Sequence, residues 1–247
     1  MSSNPSLPRL SSGLSVPVTP LIAAALEYSR AHTTPMTVNH CLRAAYFAVL
    51  LSRKLPALAS EPLDLELIVY SNIMHDLGWS QDPTFISKDK RFEVDSANLA
   101  RAYLKGHNHS DQWDKHRIQL MWDAIALHAT PSFAQHKEAE VTLAHLGVMA
   151  DFFGPDLPGG ALTIDEYKEI VAAFPRIGFR DEFLEIMCGL CAYKPETTYD
   201  NFVSDFGVEF GLDGNGKDKE EFAAAKRANT VPRTALQALL ACKKYEE

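Results

Sequence analysis

The sequence predicts an all-α fold, a single-domain helical bundle. Two observations carry that reading. Apolar residues recur at spacings of three and four through most of the chain, the period of a helix half sunk in a core. Helix punctuation recurs between those stretches, and no stretch alternates convincingly enough for a strand.

Each element follows from local chemistry. Thr19-Pro20 reads as an N-cap followed by proline at the first helical position, opening a helix to about residue 30. Thr34-Pro35 repeats the signal, and the helix after it carries Val38, Leu42, Ala45, Val49 and Leu50 on one face, with His40 in its early turns. Glu61-Pro62 opens a third helix through Leu65, Ile68, Val69 and Ile73, with Gly78 as its expected stop. A loop with Pro83 follows. The next helix is expected over about 95–105, ending at Gly106. Ser110 or Asp111 is the expected cap of a helix that carries Trp113, Ile118, Met121, Trp122 and Ile125 and runs out near His128. Another covers about 137–153 and ends at Gly154. Thr163 and Glu166 match a capping box, in which each side chain satisfies the other's free backbone donor. Helices over about 180–193 and 198–210 flank Pro195, a solvated loop spans 211–221, and a last amphipathic helix starts near Pro232.

Bulk properties narrow the function. With 247 residues, 46% apolar and 23% charged, the chain can bury a sizeable core. Residues 1–16, Ser/Pro-rich and without the pattern of a secretory signal, are expected as a flexible leader, and 17–247 as one domain with a C-terminal helical extension. The net charge of −8 repels polyphosphate backbones, and the densest basic cluster, KDKR at 88–91, is interrupted by Asp89, so no nucleic-acid partner is expected. No apolar run has the length of a membrane span. Cys41, Cys188, Cys191 and Cys242 lie in helical, apolar-rich stretches and make no disulfide framework, which fits a reducing, cytoplasmic location. The Cys188…Cys191 pair sits among core-spaced apolar residues and reads as packing. The amphipathic C-terminal helix can dock on its own domain or on a neighbour, so a homo-oligomer is open.

Three polar insertions interrupt the apolar pattern. His75-Asp76 follows the apolar run LIVYSNIM, and Asp151 sits between Ala150 and Phe152 in the last turn before a glycine. His40 is the third. Burying an ionised carboxylate costs several kcal/mol unless a cation offsets it. Imidazole nitrogens and carboxylate oxygens are the donors a divalent cation of intermediate softness takes. Neighbours on a helix diverge by about 100°, so His75 and Asp76 can reach one ion only where the helix ends.

NHCLRAAYFAVLL, SNIMHDLGW and VMADFFG resemble the HD-domain superfamily of metal-dependent hydrolases. KRFEVDSANLARAYL, WDAIALHATP and VTLAHLGVMADFFG are similar to its cyanamide hydratase family, over about residues 17–211. The resemblance implies an HD-domain helical bundle and makes His40, His75, Asp76 and Asp151 the metal ligands. Phe92 stands where two-metal members carry a further histidine, which implies one metal, zinc first and iron(II) second. Ser96 replaces a common glycine. Asp76, Glu93 and His128 are the candidate catalytic residues, and Trp79 and Phe92 the candidate walls of a small-molecule pocket. His107 and His109 read as turn residues and His145 as structural. The implied reaction is addition of metal-activated water to a small carbon–nitrogen triple bond, cyanamide to urea or a related nitrile or isocyanide. The alternative is a phosphohydrolase acting on a nucleotide or other phosphate ester, with Lys88, Lys90 and Arg91 as its clamp. A third reading keeps the metal site as a structural element of a binding module.

Overall fold

The structure is a computed structural model and describes residues 7–55, 58, 62–80, 82–107, 112–229 and 231–245. Among the described residues it is helical throughout, with no strand. The helices are α1 Pro20–His32, α2 Pro35–Lys54, α3 Leu65–Met74, α4 Phe92–Gly106, α5 Lys115–Ala126, α6 Pro131–Ala134, α7 Ala139–Phe153, α8 Ile164–Ala173, α9 Phe179–Tyr193, α10 Val203–Phe210, α11 Lys219–Asn229 and α12 Val231–Cys242. They gather into two compact units. The first holds α1–α8, and the second holds α9–α12 together with residues 87–91. No described helix is long and apolar enough to cross a membrane.

Several starts follow the local signals. Thr19 accepts from Ile22 N, Thr34 from Thr37 N, and the Thr163–Glu166 box is fully formed. Others differ. Asp64 caps α3 by accepting from Leu67 N, whereas the expected Glu61 lies outside the described residues. Asp114 caps α5 by accepting from Arg117 N, and the expected Ser110 and Asp111 also lie outside them. Helix α4 starts at Phe92 rather than near Asp95, which places Phe92 and Glu93 in its first turn. Gly154 does stop α7. Its φ of 55° is left-handed and its N–H donates to Ala150 O.

Within the expected leader, the described residues 7–16 pack on the first unit. Leu10, Leu14 and Val16 are buried in the core of the first unit. Tyr46 Oη donates to Pro8 O at 2.6 Å, and Ser12 N donates to Glu169 Oε1 at 2.7 Å. Burial of three apolar side chains outweighs the turn-forming composition that made this segment read as loose.

Helices α2 and α7 form the central pair. A Cβ placed on Gly147 would lie 2.4 Å from Ala44 O and 2.8 Å from Ala48 Cβ, so glycine is what lets the backbones approach. One turn further along α7 is Asp151, and one turn back along α2 are Arg43 and His40, which bond to it. The pair therefore runs antiparallel, and its closest contact sets the height of both polar residues. In the first unit the remaining core side chains, among them Tyr46, Phe47, Ile68, Tyr70 and Met74, are all buried around it.

Gly147→Ala tests that contact. Intrinsic helix propensity favours alanine by about 1 kcal/mol. Overpacking against the Ala44 carbonyl opposes it, and the expected net result is a loss of about 1–3 kcal/mol, read from the denaturation midpoint. A stabilised variant would mean that the helices have room to part.

Candidate metal centre

Helix α2 delivers His40, the end of α3 delivers His75 and Asp76, and the turn after α5 delivers His128. The geometric difficulty of adjacent ligands is resolved by the end of α3. His75 still has helical angles, while Asp76 turns out of the helix at φ −111° and ψ 23°, into a tight 3-10 turn over Leu77–Trp79. Gly78, expected as a helix stop, does something else. A Cβ there would lie 2.3 Å from Phe92 O, so its missing side chain admits the start of α4. Ser96 Oγ joins the two segments, accepting from Gly78 N at 2.8 Å and donating to Phe92 O at 3.0 Å. Ser96 is therefore the clasp that joins Phe92 to the His-Asp turn.

The three histidines share one arrangement. His75 Nδ1 lies 2.7 Å from Asn72 O, His128 Nδ1 lies 2.7 Å from Ile125 O, and His40 Nδ1 lies 2.6 Å from Asp151 Oδ2. Those oxygens only accept, so each Nδ1 is the donor and each neutral ring keeps its lone pair on Nε2. The Nε2 atoms of His40 and His75 are 3.3 Å apart, and they lie 3.5 and 3.0 Å from Asp76 Oδ2. His128 Nε2 lies 3.8 Å from Asp76 Oδ1. His40, His75 and Asp76 form a group whose ligand atoms could hold one ion. Asp76 is fully buried, and neither of its oxygens has a hydrogen bond.

A positive charge belongs among these atoms. Burial works to raise the Asp76 carboxyl, but His75, then His40 and His128, hold it below the ordinary range. Burial works to lower His75, but Asp76 and then Cys41, whose Sγ is 3.6 Å from Nδ1, raise it well above the imidazole value. A proton or a divalent cation satisfies the same set. Burial, with His75 adding to it, pushes His128 down to about 3, so its Nε2 is a neutral acceptor at physiological pH. Neutral Nε2 atoms converging on a buried carboxylate are the donor set of a zinc or iron(II) site, so the residues present fit a metal.

Asp151, expected as a fourth ligand, is bonded to His40 Nδ1 and to two arginines. Its Oδ1 accepts from Arg43 Nε and Arg176 Nη1, both at 2.7 Å. Its Oδ2 accepts from Arg43 Nη2 at 2.8 Å and from His40 Nδ1. Arg176 also donates to the Asp151 backbone carbonyl. Burial works to raise this carboxyl, but His40 and Arg43 hold it far below the ordinary range. Asp151 therefore stands behind His40 and fixes its tautomer and ring plane, the role a carboxylate plays next to a metal-binding imidazole. Arg43 is fully buried and also donates to Phe174 O at 3.0 Å and Pro175 O at 3.2 Å, which ties the end of α8 to the centre. The sequence reading missed both arginines. The available signal was an arginine one turn after His40 inside the apolar run LRAAYFAVLL.

The remaining candidates sort clearly. Trp79 stacks on His40 at 5.8 Å and 9°, Phe92 meets the edge of His128 at 5.7 Å, and Phe152 meets His40 at 5.4 Å. Trp79, Phe92 and Phe152 thus each pack on one of the donor histidines. Glu93 is buried beside Phe92. His145 Nδ1 lies 2.6 Å from the His128 carbonyl and donates to it, which makes it a brace for that turn. His107 packs on Tyr103, and His109 lies outside the described residues. Cys188 and Cys191 are free, buried thiols in α9.

Buried imidazoles and a carboxylate, collected from separate helices of an all-α bundle, form a donor set that could hold a divalent metal ion. In a comparison with protein families, residues 37–151 match the HD domain, and that span runs from the first turn of the His40 helix to Asp151 itself. That span is similar to the HD domain, and it includes His40, His75 and Asp76, the group that could hold a metal ion. A comparison with curated proteins finds no match.

Arg43→Lys separates positioning from bulk stability. A lysine keeps the charge but cannot bridge both oxygens of Asp151 in one plane. The expected result is metal affinity about 10- to 100-fold weaker with unchanged helix content, measured by competition with a chromogenic chelator. Unchanged affinity would remove Asp151 and Arg43 from the account of the centre.

Proposed function

We propose that the protein is a metal-dependent hydro-lyase that adds water to a small carbon–nitrogen triple bond, converting cyanamide to urea or a related nitrile or isocyanide to its amide. The observation that carries the reading is the character of the surroundings. The donors are walled by Trp79, Phe92 and Phe152, and the two arginines tied to the centre are both committed to Asp151. Phosphoryl transfer calls for cations aimed at the phosphate oxygens. Of the expected clamp residues, Lys88 lies over the Tyr193 ring and Lys90 pairs with Asp89. A small, uncharged substrate suits such a site better than a nucleotide.

His40, His75 and Asp76 would hold one divalent cation, zinc first and iron(II) second. When bound, such a cation lowers the pKa of water towards neutrality and so supplies the nucleophile. The residues of the chain do the rest. Asp76 is held ionised, and its Oδ1 faces His128 Nε2, so an incoming water can be oriented between two acceptors. The water oxygen bonds to the triple-bonded carbon as one π bond opens onto nitrogen. His128 Nε2 accepts one water proton and passes it to that nitrogen, which gives the C(OH)=NH tautomer, and transfer of the remaining hydroxyl proton to the same nitrogen leaves the carbonyl of the urea or amide. For an isocyanide the first proton goes to carbon and the second to nitrogen, giving a formamide. Glu93 would be the second group to carry a proton. The aromatic walls keep bulk water from competing for these bonds. The balance is one water added and nothing released.

His75→Ala is expected to purify with little or no metal by elemental analysis and to lose at least about two orders of magnitude in turnover. For the native protein, an ammonia- and urea-linked assay over cyanamide, nitriles and isocyanides is expected to report product, and nucleotides are expected to release no phosphate. Phosphate release without hydration would replace this reading with the phosphohydrolase. Bound metal with turnover of neither class would leave a binding module.

A further inference from the structure

The donors are all at most 3% exposed, so a substrate needs a way in. A cavity of about 290 Å³ opens on the first unit beside them. Its lining joins the turn between α1 and α2, through His32, Thr33 and Thr34, to the segment after the His-Asp turn, through Trp79, Ser80 and Asp82. Trp79 is common to cavity and centre. The same indole lines the cavity and stacks on the His40 ring. It belongs to the 3-10 turn that begins right after Asp76, so movement of that turn couples directly to the donors.

The lining has a definite character. It offers the hydroxyl-bearing Thr33, Thr34 and Ser80, and its ionisable members are His32 and Asp82, with no lysine or arginine among the described lining residues. Thr84 donates to Asp82 Oδ1 from both its backbone N, at 2.9 Å, and its hydroxyl, at 2.7 Å, which favours the ionised carboxylate. The His32 ring is stacked on Phe85 at 4.3 Å, so one wall is fixed by aromatic packing. A mouth with hydroxyls and one carboxylate admits small neutral polar molecules and repels anions. A cavity of this size takes a molecule of a few heavy atoms with its water.

We infer that this cavity is the mouth of the metal centre, that Trp79 is the partition between mouth and donors, and that the Asp82 carboxylate at its rim disfavours anions. The inference rests on the hydro-lyase reading only for the identity of the substrate. Access itself can be measured without turnover, as the rate at which chelators strip the bound metal. Two probes are used on the metal-loaded full chain, the neutral 1,10-phenanthroline and the anionic dipicolinate.

Trp79→Ala is expected to speed stripping by about tenfold, as removal of a gate does. Ala31→Trp, at an exposed lining position, is expected to slow it by roughly threefold or more with the metal content unchanged. Asp82→Lys is expected to favour dipicolinate over phenanthroline by about threefold relative to the native protein. Phe152→Ala opens the other aromatic wall for comparison. Stripping rates within about twofold of native in Ala31→Trp overturn the mouth, whatever Trp79→Ala does to folding. Faster stripping in Phe152→Ala but not in Trp79→Ala overturns the partition, and an unchanged preference in Asp82→Lys overturns the selectivity. A protein that shows the expected stripping pattern yet hydrates no substrate keeps the mouth and loses the hydro-lyase reading, so the two failures are distinguishable.

Discussion

The hydrogen bond from His40 Nδ1 to Asp151 Oδ2 is the joint on which the centre depends. It exists because α2 and α7 cross closely at Gly147, which puts His40 and Asp151 at one height. It points the His40 lone pair at His75 and Asp76 rather than away from them. The carboxylate is itself immobilised by Arg43 and Arg176, so the ring cannot rotate without breaking buried, charge-assisted bonds. Removing one partner of such a buried set typically costs about 3–5 kcal/mol, because the remaining charge is left uncompensated. The centre is therefore preorganised by the packing of two helices.

The same logic extends to the other side of the site. Gly78 accepts the close approach of the Phe92 carbonyl, and Ser96 bonds to both segments. His145 holds the carbonyl of His128, whose own Nδ1 is held by Ile125 O. Each residue that faces the donors is thus fixed by a neighbour that does not. Rigid support of this kind is what lets a binding group keep its geometry when a ligand arrives.

Much of this was legible in the sequence where the signal is local. Thr19, Thr34 and the Thr163–Glu166 pair cap helices as their residue types require. A His-Asp dipeptide ending an apolar helix marked the metal site because burying that carboxylate alone is too costly. The less legible features are non-local. Gly78 looks like a helix stop in sequence, and only the approach of α4 from fourteen residues on shows why a side chain is excluded. The bonds from Arg43 and Arg176 to both oxygens of Asp151 join residues far apart in the chain and leave no local signal. The segment around Leu10, Leu14 and Val16 looks loose because its prolines and serines are visible and the groove it fills is not.

The most direct test of the centre is nuclear magnetic resonance of the protein loaded with cadmium-113 and labelled with nitrogen-15 in histidine. The account predicts one-bond coupling from cadmium to Nε2 of both His40 and His75, with a proton on Nδ1 of each. Coupling to Nδ1 of His40, or a proton on its Nε2, would contradict it. Either result would mean that Asp151 does not orient this ring, and the arrangement derived from the α2–α7 crossing would fall.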